Sequence, residues 1–394
     1  MNTKMMRFVC PLMFLAAGLF SSTAKGDSDF PFDIYKTMAA KAADKDLHLS
    51  PYSVTSALAL VDAGAAGQTL EEMNALLGRT GTLEEFAAKM KVKEFADEKS
   101  PFRSFAGLWT QTGYAILPAY LASAQNLFNA EIGQFDFKNN PGEAVTAINK
   151  WVSERTNDKI PSLFDSLETA TRVVVVSAVH FESNWRTPFD KKRTKKEDFT
   201  LVSGEKTATD MMYRKSQAPC YFGEDAAVLE LPYKGDGYSM LVILPKSTAD
   251  LPKLEASLST EKIKEWSSRL NRDLVEVKMP KFTAQYQAEL IQPLAGLGMK
   301  SAFSNAADFS GINGKTDLSI SKVIHKVFIR VDETGTEAAA ATGIGMRTTS
   351  IELNPPQPKQ FIADRPFVYV IRKISGDDNP GTIMFVGRFA EPKK

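Results

Sequence analysis

Ten residues, Arg172-Val-Val-Val-Val-Ser-Ala-Val-His-Phe181, constrain this chain more than any other stretch. A nearly unbroken β-branched run has no polar side to turn toward water, so it reads as a strand covered on both faces. Such a strand sits centrally in a sheet, and other elements must close over each of its faces. The chain can supply them: 394 residues with 43 % hydrophobic and 24 % charged content describe a soluble globular protein with a sizeable core, one large domain or two small ones. Disordered, collagen-like and multi-span membrane chains are excluded.

Before residue 160 the pattern is mainly helical. Phe30 to Ala43 places Phe32, Tyr35 and Met38-Ala39 on one face, and Gly142 to Thr156 does the same with Ala144, Ile148 and Trp151-Val152. Thr69-Leu-Glu-Glu72 and Thr82-Leu-Glu-Glu85 each have the form of a capping box and predict two helix starts. Strands dominate afterwards. Ala226–Tyr233 and Tyr238–Pro245 flank Lys234-Gly-Asp-Gly237 as a hairpin, Leu274–Phe282 and Val323–Val331 alternate, and Pro366–Ile371 and Thr382–Phe389 close the chain. With no linker rich in Pro, Gly or Ser and no repeat, the expectation is one α+β domain spanning 25–394.

Residues 1–24 read as an export signal: Lys4 and Arg7, an apolar stretch from Phe8 to Phe20, then small Ser22-Thr-Ala24. Thirteen residues are too few to span a bilayer, which takes about 20. The expectation is a secreted or periplasmic protein with no membrane partner after cleavage. Cys10 would leave with the signal, so Cys220 would stand alone without a disulfide. The absence of an Asn-x-Ser/Thr sequon favours a bacterial route. The 48 Lys and Arg balance 47 Asp and Glu, leaving no charge surplus for a nucleic-acid partner.

Catalytic chemistry finds little support. Of three histidines, His180 and His325 lie inside strand patterns as core residues, and His48 has no nucleophile elbow beside it. HExxH and CxxC spacings are absent, so neither metal nor cofactor is expected. Gly311-Ile-Asn-Gly-Lys-Thr316 ends like a phosphate loop, but Phe309 stands where its first glycine belongs, and it reads as a turn. Lys89, Lys91 and Lys93 hint at a polyanion site, yet Glu84, Glu85, Glu94 and Asp97 interleave them as on a solvated face.

One segment looks wrong for its place. Glu333-Thr-Gly-Thr-Glu-Ala-Ala-Ala-Ala-Thr-Gly-Ile-Gly345 follows directly on an alternating strand. It reads either as a short exposed helix or flexible linker, or as a loop of small side chains able to fit between two existing strands.

Here the sequence resembles the serpin family. Glu333 to Thr342 is similar to the family's hinge, and Phe361-Ile-Ala-Asp-Arg-Pro-Phe-Val-Tyr369 to its C-terminal signature. Further blocks follow the family's order: Leu49–Leu58, Val179–Trp185, Leu229–Lys234, Met279–Phe282 and Ala307–Ile312. The resemblance implies three β-sheets, eight or nine helices and an exposed reactive loop over about 333–360. It implies a monomer that traps serine proteases covalently: the cut loop enters the central sheet and distorts the acyl-enzyme. The hinge would be Glu333, Gly335, Thr336, Glu337, Ala338, Ala339, Ala340, Ala341 and Thr342. Its inward set, Thr336, Ala338, Ala340 and Thr342, carries no charge, which favours inhibition over a non-inhibitory carrier, chaperone or interaction protein. Counting seventeen from Glu333 puts the reactive bond at Thr349-Ser350, with Arg347-Thr348 as the alternative. Thr349 favours elastase-like or subtilisin-like targets, and Arg347 would admit trypsin-like ones. Ser50, Ser53, Ser177, His325 and Trp185 would control sheet opening. Ser177 departs from the Asn usual in the family, so its hydrogen bonds are expected to differ.

Overall fold

The computed structural model describes residues 29–42, 44–90, 100–235, 237–336, 357–374, 376 and 380–392. Ten α-helices fall among them: α1 (Phe30–Ala39), α2 (Pro51–Asp62), α3 (Gly67–Leu77), α4 (Leu83–Met90), α5 (Pro118–Phe128), α6 (Pro141–Arg155), α7 (Leu251–Ser257), α8 (Thr260–Ser268), α9 (Ile291–Gly296) and α10 (Ser310–Asn313). The eight or nine expected grow to ten because short turns such as the four-residue α10 count. The strands are β1 (Leu47–Leu49), β2 (Phe102–Gln111), β3 (Glu131–Phe135), β4 (Val173–Phe181), β5 (Ser183–Asn184), β6 (Lys195–Thr200), β7 (Lys206–Phe222), β8 (Ala226–Pro232), β9 (Tyr238–Pro245), β10 (Asn271–Pro280), β11 (Phe282–Glu289), β12 (Lys322–Val331), β13 (Gly335–Thr336), β14 (Lys359–Ile362), β15 (Phe367–Lys373) and β16 (Thr382–Phe389).

Local chemistry explains several boundaries. Proline occupies the first turn of α1, α2, α5, α6 and α7, where its missing N–H costs no helical bond. The second capping box forms as expected: Thr82 N–H donates to Glu85 Oε2 at 2.9 Å, and Glu85 N–H to Thr82 Oγ1 at 3.2 Å. The first does not. α3 begins at Gly67, so Thr69 lies inside it and its hydroxyl accepts the Asp308 N–H, while Glu72 accepts from Lys300 and Ser301.

The central sheet runs β3-β2-β4-β12-β11, with β4 and β12 parallel and β12 and β11 antiparallel. β4 is buried at every position. Val174, Val176 and Ala178 face the core beneath α6, whereas Val173 and Val175 join the largest core cluster around α2. Helix α2 is buried almost all round because it packs against β2, β4 and β16. The short β13 and β5 complete the central sheet at seven strands, and the other nine form one hydrogen-bonded network of two parts, β1-β16-β15-β9-β8 and β6-β7-β10-β14. The 17-residue β7 joins them where Cys220–Phe222 pair with Ala227–Leu229. Counted so, these two parts and the central sheet are the three sheets expected.

Candidate functional site

Strand β12 runs straight into the small-residue segment, and its partners define the site. After Val331 the chain turns through Asp332, whose Oδ1 accepts from Thr334 N–H (2.8 Å), Thr334 Oγ1 (2.6 Å) and Gly335 N–H (3.2 Å). Burial works against that carboxylate's charge, but these bonds and nearby Arg330 hold it below its ordinary range. Gly335 and Thr336 then form β13, antiparallel to β12 through Val331 and antiparallel to β5 through Ser183 and Asn184. β13 therefore lies at the upper end of the seam between β4 and β12. Below it the two strands pair directly, in parallel, from Val174–Lys322 to His180–Phe328. A strand entering that seam in the direction of β13 would run antiparallel to both neighbours.

A dense cradle holds this entry point. Trp185 donates its indole N–H to Asp332 O at 2.9 Å and its backbone N–H to Thr334 O at 2.8 Å. Its ring stacks on Tyr233 at 4.4 Å, and the Tyr233 hydroxyl pairs with Thr336 Oγ1 at 2.6 Å. Thr336 is wholly buried. Glu333 accepts from Thr194 Oγ1 at 2.8 Å, its carbonyl accepts the Phe189 N–H, and Lys281 lies 3.4 Å from its carboxylate. Gly335 has no room for a side chain: a Cβ there would meet Ser183 O at 2.2 Å and Asn184 Cα at 2.5 Å. Tyr233, Thr194, Lys281 and Asp332 were not singled out by sequence; Tyr233 and Lys281 fell inside family-like blocks, and Thr194 and Asp332 left no trace.

Midway down the same seam lies a second cluster. His325 on β12 accepts the Ser50 N–H at Nε2 (3.0 Å), and its Nδ1 is 3.0 Å from Ser177 Oγ on β4. Ser177 Oγ pairs with Ser53 Oγ at 2.7 Å, which also accepts from Ser104 Oγ on β2 at 2.9 Å. Ser50 Oγ caps α2 by accepting the Ser53 N–H and donates to Met384 O. Five segments thus meet here, α2, β2, β4, β12 and β16, and the short Ser177 side chain reaches both α2 and His325. Burial pushes the His325 ring down to about 3. His180, on β4, is pushed to about 4 by burial and then by the Arg103 and Lys159 charges. His48 lies away from the seam, its Nδ1 2.9 Å from Tyr369 Oη. Among the described residues no group of His, Cys, Asp and Glu is arranged to hold a metal.

Several expected positions lie outside the described residues: the 1–24 signal, hinge residues Glu337 to Thr342, Lys91 and Lys93, and both candidate bonds at Arg347-Thr348 and Thr349-Ser350.

The family profile for Serpin, serine protease inhibitor, matches residues 25–392. The chain belongs to the serpin family. A leukocyte elastase inhibitor of Bos taurus is 36 % identical over 375 residues, covering 92 % of this serpin and 97 % of that protein. A serpin-like protein of Thermococcus kodakarensis is also 36 % identical, over 93 % of this chain and 85 % of its own. The solved structure of a highly specific serpin from the insect Tenebrio molitor superposes with a TM-score of 0.80 at 32 % identity, covering 93 % and 96 % of the two chains. This serpin is a protease inhibitor by kinship. The relatives also correct an expectation. They are leukocyte elastase inhibitors of mammals and serpin-like proteins of archaea, so they do not support a bacterial-type member or a secreted or periplasmic location. The export reading rested on the composition of residues 1–24 alone.

Proposed function

We propose that this serpin is a suicide-substrate inhibitor of elastase-like serine proteases, acting as a monomer and trapping the acyl-enzyme covalently. The observation that carries the reading is β13: two hinge residues already stand antiparallel to both β12 and β5, at the head of a seam whose strands are joined below by a parallel ladder. Insertion exchanges that ladder for two antiparallel ones, which are slightly more stable per residue. Each new bond contributes about 0.5–1.5 kcal/mol net, against about 1–2 kcal/mol of backbone entropy per ordered residue. Hydrogen bonds alone therefore do not drive the step; the release of strain held in the closed sheet must, and the native state is kept by a barrier. The Ser177–His325 cluster is the latch on that barrier, because opening the seam between β4 and β12 pulls its members apart.

Leukocyte elastase inhibitors among the relatives support an elastase-like target, and Thr349-Ser350 is the reactive bond this reading assigns. Incubation with an elastase should give a detergent-stable complex and release a fragment beginning at Ser350. A nicked, uncomplexed form should melt well above the intact protein. Equal melting of nicked and intact protein would refute insertion, and a fragment beginning at Thr348 would move the bond to Arg347.

A further inference from the structure

The root of the loop carries a concentration of positive charge that neither inhibition nor the latch requires. Lys191, Lys192, Arg193 and Lys195 lie within five residues, all exposed, between the Phe189 and Thr194 anchors of the hinge and the start of β6. None forms an ion pair with a described residue, although Lys196 beside them pairs with Asp210 at 3.7 Å. The Arg193 guanidinium lies 3.3 Å from the centre of the Tyr213 ring on β7. Glu276 on β10 feels the positive fields of both Lys215 and Arg193, which places Lys215 at the same surface. Five cations stand beside the carboxylates of Asp190 and Glu276, while nearby Glu197 and Asp210 are paired with Lys278 and Lys196, in a chain whose net charge is only +1.

Position gives this patch its meaning. The loop leaves the body beside it, where Phe189 N–H and Thr194 Oγ1 hold Glu333. It returns at β14, which pairs with β10, which pairs with β7. At roughly 4.8 Å per strand, β14 lies about 10 Å from β7, so the patch sits between the two ends of the loop. Both described ends of the loop thus flank this surface, within reach of an enzyme that engages the loop.

We propose that the patch is an exosite for the target protease, docking an acidic surface beside the enzyme's active-site cleft. A polyanion is the less suitable occupant: Asp190 and Glu276 inside the patch repel an unbroken row of anions, whereas a protein surface of mixed sign can complement them. Steering by such a field raises association rates by 10- to 1,000-fold and fades with salt. The inference rests on the inhibitory reading above, and its test separates the two.

The test compares the parent with Lys191→Glu/Lys192→Glu/Lys195→Glu, whose side chains form no hydrogen bond or ion pair with the described hinge residues or the latch. Rate constants for trapping are measured with two elastase-class enzymes, one with an acidic and one with a basic surface, at about 50 and 500 mM ionic strength. The parent should trap the acidic enzyme at least about tenfold faster than the variant at low salt, with the gap closing at high salt. The basic enzyme should show no loss, and stoichiometry and melting temperature should not change. Equal rates for parent and variant overturn the exosite. So does a variant that loses only retention on a sulfated polysaccharide matrix, which would assign the patch to a polyanion. Should neither enzyme be trapped at all, the inhibitory reading fails by itself. The exosite is then decided by whether active-site-blocked acidic enzyme binds the parent, salt-dependently, and not the variant.

Discussion

Acid should unlatch the central sheet through His325. The ring is wholly buried and its Nε2 accepts the Ser50 N–H, so the neutral form carries its proton on Nδ1 toward Ser177. Burial pushes it down to about 3, against about 6.5 in an unfolded chain. The folded state thus refuses a proton that the unfolded state takes up below pH 6.5. Stability contributed by the neutral ring is complete above that pH and falls as pH drops from 6.5 toward 3, at about 1.4 kcal/mol per unit. Across the whole interval this approaches about 5 kcal/mol. His325→Gln removes the titration and retains an oxygen that can accept from Ser50. At pH 7.5 the variant should be less stable by about 1–3 kcal/mol, the loss of a well-made buried hydrogen bond. Urea midpoints read from pH 7.5 to 5.0 should then converge, the gap shrinking by about 1.4 kcal/mol per unit below 6.5. His180 titrates in both proteins and cancels in the comparison. Parallel profiles would show that the ring is not held neutral by its burial, and the latch would have no acid-sensitive member.

Three further outcomes follow from the cradle and the core. Gly335→Ala sets a methyl against the backbone of Ser183 and Asn184, so it should cost about 1–3 kcal/mol and raise the number of inhibitor molecules consumed per protease, read from melting and titration of elastase. Thr336→Arg buries a charge where a threonine hydroxyl now bonds Tyr233; with a penalty of several kcal/mol it should turn inhibitor into substrate, and unimpaired trapping on a denaturing gel would contradict the entry role of β13. Arg388→Met strands the buried Glu255 carboxylate, which now accepts two 2.9 Å bonds from Arg388 and one of 2.6 Å from Tyr35, and should lower stability by about 3–5 kcal/mol in urea.

What the sequence disclosed followed from how local the cause was. The run of valines in β4 declared a strand covered on both faces because side-chain type alone decides that, and the Thr82 box formed because its two bonds lie within one turn. The Thr69 box carried the same letters and failed, since Asp308, Lys300 and Ser301 compete for its oxygens from more than 200 residues away. His180 and His325 looked alike as imidazoles in strands. Only the fold separates them, giving His325 a partner on each nitrogen and leaving His180 Nδ1 with none among the described residues. The small residues from Thr336 onward announced that the segment could enter a packed sheet, a matter of volume and charge. The restraint on entry was legible only in part: the family resemblance pointed to Trp185, Ser50, Ser53, Ser177 and His325, whereas Asp332, Tyr233 and Thr194 at the head of the seam and Ser104 midway along it carry no local sign, because contacts between distant segments bring them in. A serine inside a run of valines looks like a flaw in a strand until the two side chains that bond it, Ser53 and His325, are brought alongside. Capacity to insert is thus written locally in the loop, whereas the timing of insertion belongs to contacts among distant segments, and a substitution far from the loop in sequence can change inhibition without touching a residue the protease meets.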